Sequence, residues 1–123
     1  MHDSTNPTIF GKIISGQISS EKVYEDDDVL AFHDISPAAE VHFLIIPKKF
    51  IATLADATTA DTALLGKMLA LVPVLARQEG LTDGFRTAIN TGRQGGQEVY
   101  HLHIHVFGNR PGGEPLRTIA GRS

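Results

Sequence analysis

The 123-residue chain contains no cysteine and no tryptophan. The lack of cysteine excludes disulfide bonds, thiolate metal sites and cysteine nucleophiles. An excess of basic charge is also missing, because 11 basic and 14 acidic residues give a formal net charge of -3. This balance argues against DNA or RNA polymers as partners. It leaves small phosphorylated ligands open, since backbone N–H groups and neutral histidines bind phosphate without a basic surface.

The length and composition predict one compact domain over residues 1–123, with a loose N-terminus at 1–6 and a C-terminal tail at 111–123. The first residues have neither the basic nor the apolar region of a secretory signal, and no apolar run is expected to approach membrane-spanning length. Together with the missing cysteines, this predicts a cytoplasmic protein with no membrane contact.

Patterns along the chain predict an α+β fold, with about five antiparallel strands, one long helix and a short N-terminal helix. A short helix over 9–14 is expected to end at Gly16, and a long amphipathic helix over 61–80 contains Pro73, which should kink it. The strands are predicted at Lys22–Glu25, Val29–His33, His42–Pro47, Phe85–Asn90 and Val99–Phe107. The acidic run Glu25–Asp28 is interpreted as a solvated hairpin turn, because it lacks the ligand spacing of a calcium loop.

Three histidines alternate with apolar residues in His101-Leu102-His103-Ile104-His105. On a strand this alternation places the imidazoles on one face, about 6.6 to 6.8 Å apart, and the apolar side chains on the other. Three interpretations remain open: buried histidines with a structural role, a metal site that adds His42, or nucleophilic catalysis by imidazole.

The segment His101–Phe107 resembles the signature of the histidine triad (HIT) superfamily of nucleotide hydrolases and transferases. Similarity to the Hint branch of that family extends from about Pro7 to Gly112, and the residues before the triad resemble bacterial members. It is carried by 9–14, 31–37, 42–49 and 95–100. The resemblance implies a HIT-like fold and, as the activity, a purine nucleoside phosphoramidase that forms a nucleotidyl-histidine intermediate without a cofactor or metal.

The resemblance also implies roles for individual residues. His103 matches the nucleophile, His105 the donor to the phosphate oxygens, and His101 with His42 the pair that orients the site. The ribose carboxylate is matched by Asp34, and Asn90 matches a residue that bonds near the phosphate. The amides of Gly95, Gly96 and Val99 are expected to face the anion, and the purine slot is expected to consist of Ile9, Phe10, Ile13, Phe32, Ile35 and Leu44. From the residues alone, the apolar side chains of this slot are also explained by core packing.

Two positions depart from the family pattern. Glu98 stands where eukaryotic Hint members have a serine that contacts the phosphate or the leaving nitrogen, and the tail from Asn109 lacks a tryptophan found in some relatives. The physiological amine therefore does not follow from the resemblance. A dinucleoside polyphosphate hydrolase and a nucleotide-binding module with little turnover are the alternatives. A homodimer is expected, because an open sheet of about five strands leaves an edge exposed.

Overall fold

The protein is described here by a computed structural model, which covers residues 8–119. Five antiparallel strands form one sheet in the order β1-β2-β3-β5-β4. The elements are α1 (Ile9–Ile14), β1 (Lys22–Glu25), β2 (Val29–His33), β3 (Val41–Pro47), α2 (Thr62–Gln78), β4 (Arg86–Ala88) and β5 (Ile104–Gly108), with two short 3-10 turns at Leu54–Asp56 and Thr59–Asp61. This architecture confirms the predicted α+β fold. The expected loose N-terminus at 1–6 and the end of the tail at 120–123 lie outside the described residues.

The two faces of the sheet carry different layers. Because side chains alternate along a strand, β2 and β3 each contribute to both layers. On one face, Phe43 and Ile45 pack with Val72 and Leu75 of α2 in the main core. The opposite face holds a second cluster formed by Phe10, Leu30, Phe32, Leu44 and Ile46. This second face is covered by the short helix α1 and is the face on which the histidines lie.

Helix α1 begins and ends as its sequence predicts. The Thr8 hydroxyl caps the start by accepting from the Gly11 N–H at 3.2 Å. Gly16 follows the end with a φ of +84°, a left-handed conformation that glycine adopts without a steric penalty. Phe10 is buried, whereas Ile9 is exposed. The helix therefore presents one aromatic ring to the sheet.

Helix α2 is continuous through Pro73, which lies on its exposed side. Proline has no N–H to donate to the carbonyl of Leu69, four residues earlier, and on the exposed side of a helix water can take the place of that donor. The segment Thr59–Gln78 has a mean hydropathy of 1.4, so the expectation that no segment reaches membrane-spanning length was wrong by length and composition. Its side chains Met68, Val72 and Leu75 are buried against the sheet, as in the core helix of a globular domain.

Two predicted strands are shorter than expected. The sheet contains Arg86–Ala88 rather than 85–90, and it contains Ile104–Gly108 rather than 99–107. Strand β5 begins late because its pairing with β3 ends at Ile45, which lies opposite Ile104. Pro47, at the end of β3, has no N–H to extend the ladder. The chain before Ile104 is held instead by the Leu102 N–H, which donates to the Ile51 carbonyl at 2.7 Å.

The acidic run forms the turn of the β1–β2 hairpin. One carboxylate oxygen of Asp26 accepts from the backbone N–H groups of Asp28 and Val29 at 2.8 and 2.9 Å. Its other oxygen accepts from Tyr24 and lies 2.7 Å from the ammonium of Lys67. The run is thus a turn tied to α2 by an ion pair.

Candidate active site

The triad imidazoles lie on one face of the sheet although only His105 belongs to β5. The alternation persists before the ladder, so Leu102 and Ile104 enter the main core while His101 and His103 point the other way. The rings of His103 and His105 have centroids 4.8 Å apart. The Phe10 ring makes edge contacts to both His101 and His103, at 6.0 and 5.1 Å. Helix α1 thus packs directly against the triad.

The backbone fixes the tautomer of His103. Its Nδ1 lies 2.7 Å from the carbonyl oxygen of His101. A carbonyl only accepts, so Nδ1 carries the hydrogen and, in the neutral ring, the Nε2 lone pair is left for other chemistry. The Nε2 of His101 donates in the same way to the Pro47 carbonyl at 2.8 Å. His101 is fully buried, which suits an orienting rather than a reacting residue.

A second chain of hydrogen bonds fixes His105. The Ala38 N–H donates to His42 Nδ1 at 2.9 Å, so the hydrogen of the neutral His42 ring is on Nε2. That Nε2 lies 3.0 Å from His105 Nδ1, which must then accept. The remaining hydrogen of His105 is consequently on its Nε2. The site thus combines an imidazole lone pair on His103 with an imidazole N–H donor on His105.

Burial keeps these rings neutral near pH 7. It lowers the pKa of His42, His101 and His103 below the ordinary value of 6.5. The pKa of His105 is lowered to about 4, first by burial and then by the neighbouring His103 and His42. Because an imidazole is a nucleophile only when it is neutral, this environment favours attack by His103 at physiological pH.

Asp34 lies beside the histidine pair. Its Oδ2 is 3.6 Å from His42 Nε2, and its Oδ1 accepts from the Ser36 N–H at 2.8 Å. Asp34, His42 and His105 form a cluster whose donor atoms lie within 4.8 Å of one another, the right types for a zinc site. However, Nδ1 of His42 is occupied by a backbone donor, and the 3.0 Å separation of the two ring nitrogens is that of a hydrogen bond. The arrangement therefore suits a hydrogen bond between His42 and His105 better than a metal ion.

The six residues of the predicted purine slot fall into three groups by burial. Phe10, Phe32 and Leu44 are buried in the second cluster, where Phe10 and Phe32 stack edge to face at 5.5 Å. Ile13 packs against this cluster from α1. Ile9 is 46% exposed and Ile35 is 95% exposed. The three buried residues form the floor beneath the site, and the two exposed isoleucines offer apolar surface to a ligand.

The glycine-rich loop differs from its predicted arrangement. The N–H of Gly95 donates to Gly92 at 3.2 Å, and that of Gly96 donates to Arg93 at 3.1 Å. Both amides therefore close turns inside the loop rather than face an anion. A Cβ at Gly95 would clash with the backbone of Thr91, so that position has no room for a side chain.

The structure also gives the positions of Val99 and Asn90, which are predicted to contact the phosphate, and of Glu98, which differs from the family pattern. Val99 packs against the second cluster, and its N–H has no acceptor within residues 8–119. Asn90 follows β4, two residues beyond Ala88, which pairs with His105. The Glu98 side chain is exposed.

The sequence patterns did not indicate Gln97, which is only 7% exposed. Its side-chain amide makes three hydrogen bonds to the backbone. The sequence feature that could have identified Gln97 is its position as a long polar residue between a glycine-rich loop and an apolar strand. The backbone donor Ala38 and the acceptor Pro47 were also missed, because backbone partners depend on how the chain folds.

The HIT domain family matches residues 15–112. The chain belongs to the HIT domain family. It is 50% identical over 110 residues to a purine nucleoside phosphoramidase of Escherichia coli, covering 89% of this chain and 92% of that protein. It is 59% identical over 103 residues to an uncharacterized HIT-like protein of Synechococcus elongatus, covering 84% and 90%.

Solved structures show the same relationship. The crystal structure of a HIT family hydrolase from Legionella pneumophila superposes with a TM-score of 0.79 at 48% identity, covering 81% of this chain and 90% of that one. The family resemblance seen in the sequence is thus confirmed, and this HIT protein is a hydrolase of that family.

Proposed function

We propose that this HIT protein hydrolyses the P–N bond of adenosine and other purine nucleoside 5'-monophosphoramidates through a nucleotidyl-His103 intermediate. The observation that carries the proposal is the Nδ1 contact of His103 to the His101 carbonyl at 2.7 Å, which leaves Nε2 as a neutral nucleophile. The 50% identity to the Escherichia coli purine nucleoside phosphoramidase supports the choice of substrate class.

In the first step, His103 Nε2 attacks the α-phosphorus and the P–N bond breaks, and the leaving nitrogen takes a proton from solvent and departs as an amine. The Nε2–H of His105 donates to a phosphate oxygen as charge builds there. In the second step, water attacks the phosphorus and releases a proton to solvent, the bond to Nε2 breaks, and the nucleoside monophosphate leaves. One water is consumed overall, and the neutral His103 imidazole is restored.

The remaining predicted contacts position the nucleoside. Asp34 accepts from the ribose hydroxyls, since each carboxylate oxygen has more than one lone pair and only Oδ1 holds a bond to the Ser36 N–H. Ile9 and Ile35 lie against the purine, because their exposed apolar surface suits a flat ring. Asn90 and the Val99 N–H bond near the phosphate.

His103→Ala tests the mechanism. We expect turnover of an adenosine phosphoramidate to fall by about three orders of magnitude or more while AMP still binds, because the ribose and purine contacts lie on other segments. Rapid acid quenching of the wild type should yield a labile nucleotidyl adduct on the peptide that contains His103. Substantial turnover by His103→Ala, or an adduct on His101 or His105, would refute the assignment of the nucleophile.

Turnover of two substrates and binding of AMP separate this activity from its alternatives. A phosphoramidase cleaves an adenosine phosphoramidate faster than diadenosine polyphosphates, whereas a dinucleoside polyphosphate hydrolase has the reverse preference. A binding module would bind AMP at equilibrium and turn over neither substrate. The same protein preparation serves for all three measurements.

We further propose that two copies associate as a homodimer through β4. That strand is the last in the sheet order, and it pairs with β5 on one side. Large apolar side chains are also exposed, namely Phe85 directly before β4 and Leu69 and Val74 on α2. A free edge beside exposed apolar surface is typical of an association site. Light scattering at micromolar concentration should give the mass of a dimer, and the mass of a monomer would refute this proposal.

The predicted partners and location follow from the same function. A cytoplasmic nucleotide hydrolase needs neither a nucleic acid polymer nor a membrane, and the net charge of -3 is consistent with that prediction. Cell fractionation with an antibody to the chain would test the location.

A further inference from the structure

The side chain of Gln97 connects three backbone segments around the site. Its Oε1 accepts from the Gly92 N–H at 2.8 Å. Its Nε2 donates to the Ala52 carbonyl at 2.8 Å and to the Val99 carbonyl at 3.0 Å. The buried Gln97 side chain thus forms hydrogen bonds through its amide oxygen and both of its amide hydrogens. An amide with this number of partners is held in one orientation, because any rotation would leave buried polar groups unpaired.

The backbone segment that accepts a hydrogen bond from Gln97 also accepts one from the triad segment. The carbonyl of Ile51 accepts from the Leu102 N–H at 2.7 Å, and Leu102 lies between His101 and His103. The next carbonyl along the chain, that of Ala52, accepts from Gln97. The carbonyls of Ile51 and Ala52 therefore link the triad segment to Gln97.

The other end of this connection is Val99. Its side chain packs on the apolar cluster that includes Phe10, and the Phe10 ring contacts His103. Its carbonyl is held by Gln97, which limits the rotation of the adjoining backbone. The amides of Gly95 and Gly96 are committed to turns, so Val99 is the amide of the three predicted ones that is left to meet a phosphate.

We propose that Gln97 is a positioning residue: it holds the Val99 N–H in the orientation needed to donate to the phosphate that the His103 imidazole attacks. This inference rests on the proposed function, because it assigns the Val99 N–H to the phosphate in the transition state. A donor that is correctly placed only by Gln97 should contribute more to kcat than to nucleotide affinity.

The isosteric substitution Gln97→Glu provides the test. A carboxylate still accepts from the Gly92 N–H but presents an oxygen to the Ala52 and Val99 carbonyls, which repel it. Protonation restores one donor, and burial raises the pKa of such a carboxyl group. We expect kcat to fall about 10- to 100-fold at pH 8.5 relative to the wild type. The ratio of variant to wild-type kcat should recover at least about threefold at pH 6.0.

Gln94→Glu is the matched control, since it makes the same charge change at an exposed position of the same loop. It should keep the wild-type kcat at both pH values. Wild-type kcat in Gln97→Glu, or a loss of equal size at pH 8.5 and 6.0, would overturn the proposal. Should Gln97→Glu fail to fold, Gln97→Met removes the donors without adding charge. A lower kcat with the AMP Kd within about twofold of wild type supports the proposal, and equal losses of both contradict it.

A readout independent of turnover separates this inference from the proposed function. The backbone amide resonance of Val99 should shift when AMP is added to the wild type and to Gln94→Glu. In Gln97→Glu at pH 8.5 that shift should be lost while other resonances still report AMP binding. If the wild type fails to cleave adenosine phosphoramidates, the proposed function is wrong. If the Val99 shift is the same in all three proteins, the role of Gln97 is wrong.

Discussion

The hydrogen bond between His42 and His105 offers the sharpest test of how the site works. His42→Phe keeps an aromatic ring between Phe107 and His105, whose centroids lie 5.0 and 5.2 Å from that of His42. It removes the Nε2–H that His105 Nδ1 accepts at 3.0 Å. The His105 ring is then free to place its hydrogen on Nδ1, which leaves a lone pair rather than a donor toward the phosphate.

The size of the effect follows from the lost bond. Leaving a buried polar group without its partner costs about 1 to 3 kcal/mol. Expressed in the transition state, this corresponds to a fall in kcat of about 5- to 150-fold. AMP affinity should change less, because other side chains, Asp34 among them, make the proposed ribose and purine contacts. His42→Gln should retain more activity than His42→Phe, since its amide nitrogen can reach the position of Nε2.

The assay is the steady-state hydrolysis of an adenosine phosphoramidate at pH 7.5, with AMP affinity measured by calorimetry. His33→Gln is the control, because His33 lies on the neighbouring strand β2 and pairs with Glu79 at 3.4 Å, outside the histidine cluster. Wild-type kcat in His42→Phe would refute the reasoning. So would equal kcat values in the Phe and Gln variants, because ring packing rather than the hydrogen bond would then decide the rate.

Four further predictions concern pH, sugar recognition and metal dependence. Because burial lowers the pKa of His103, the acidic limb of kcat/KM should be centred below pH 6.5, the ordinary imidazole value; an acidic limb centred at or above pH 6.5 contradicts this. Since His42, His101, His103 and His105 all have lowered pKa values, the unfolded chain binds more protons below pH 6.5. The free energy of unfolding, measured in urea, should then fall as the pH decreases toward the folded-state pKa values, by up to about 1.4 kcal/mol per pH unit for each ring. A free energy of unfolding that does not change with pH would contradict the burial of these rings in their neutral form. Asp34→Ala should weaken ribonucleotides more than 2',3'-dideoxynucleotides, and equal losses in calorimetry would show that Asp34 only supports its loop. Chelation with EDTA should leave kcat unchanged, whereas a loss restored by stoichiometric zinc would favour the metal site.

The sequence by itself determined the fold class, the two faces of the sheet and the direction of the triad. These depend on local patterns: the alternation at 101–106 assigns faces whether or not a ladder forms, and Gly16 and Gly80 mark helix ends through their backbone freedom. Similarity to the HIT family also predicted which segments would meet at one site. The structure brings Asp34 within 3.6 Å of His42, although the role of each in binding remains a prediction.

Only the tertiary structure decided how long the strands are and which atoms can react. The β5 ladder stops at Ile104 because of where β3 ends at Pro47, a contact between segments more than fifty residues apart. The tautomers of His103 and His105 depend on a carbonyl and a backbone N–H, which every residue possesses, so no side-chain pattern reveals them. The amides of Gly95 and Gly96 are consumed by loop closure for the same reason. Residue identity sets which groups are available, and the path of the backbone decides which of them hold a proton, a lone pair or a partner.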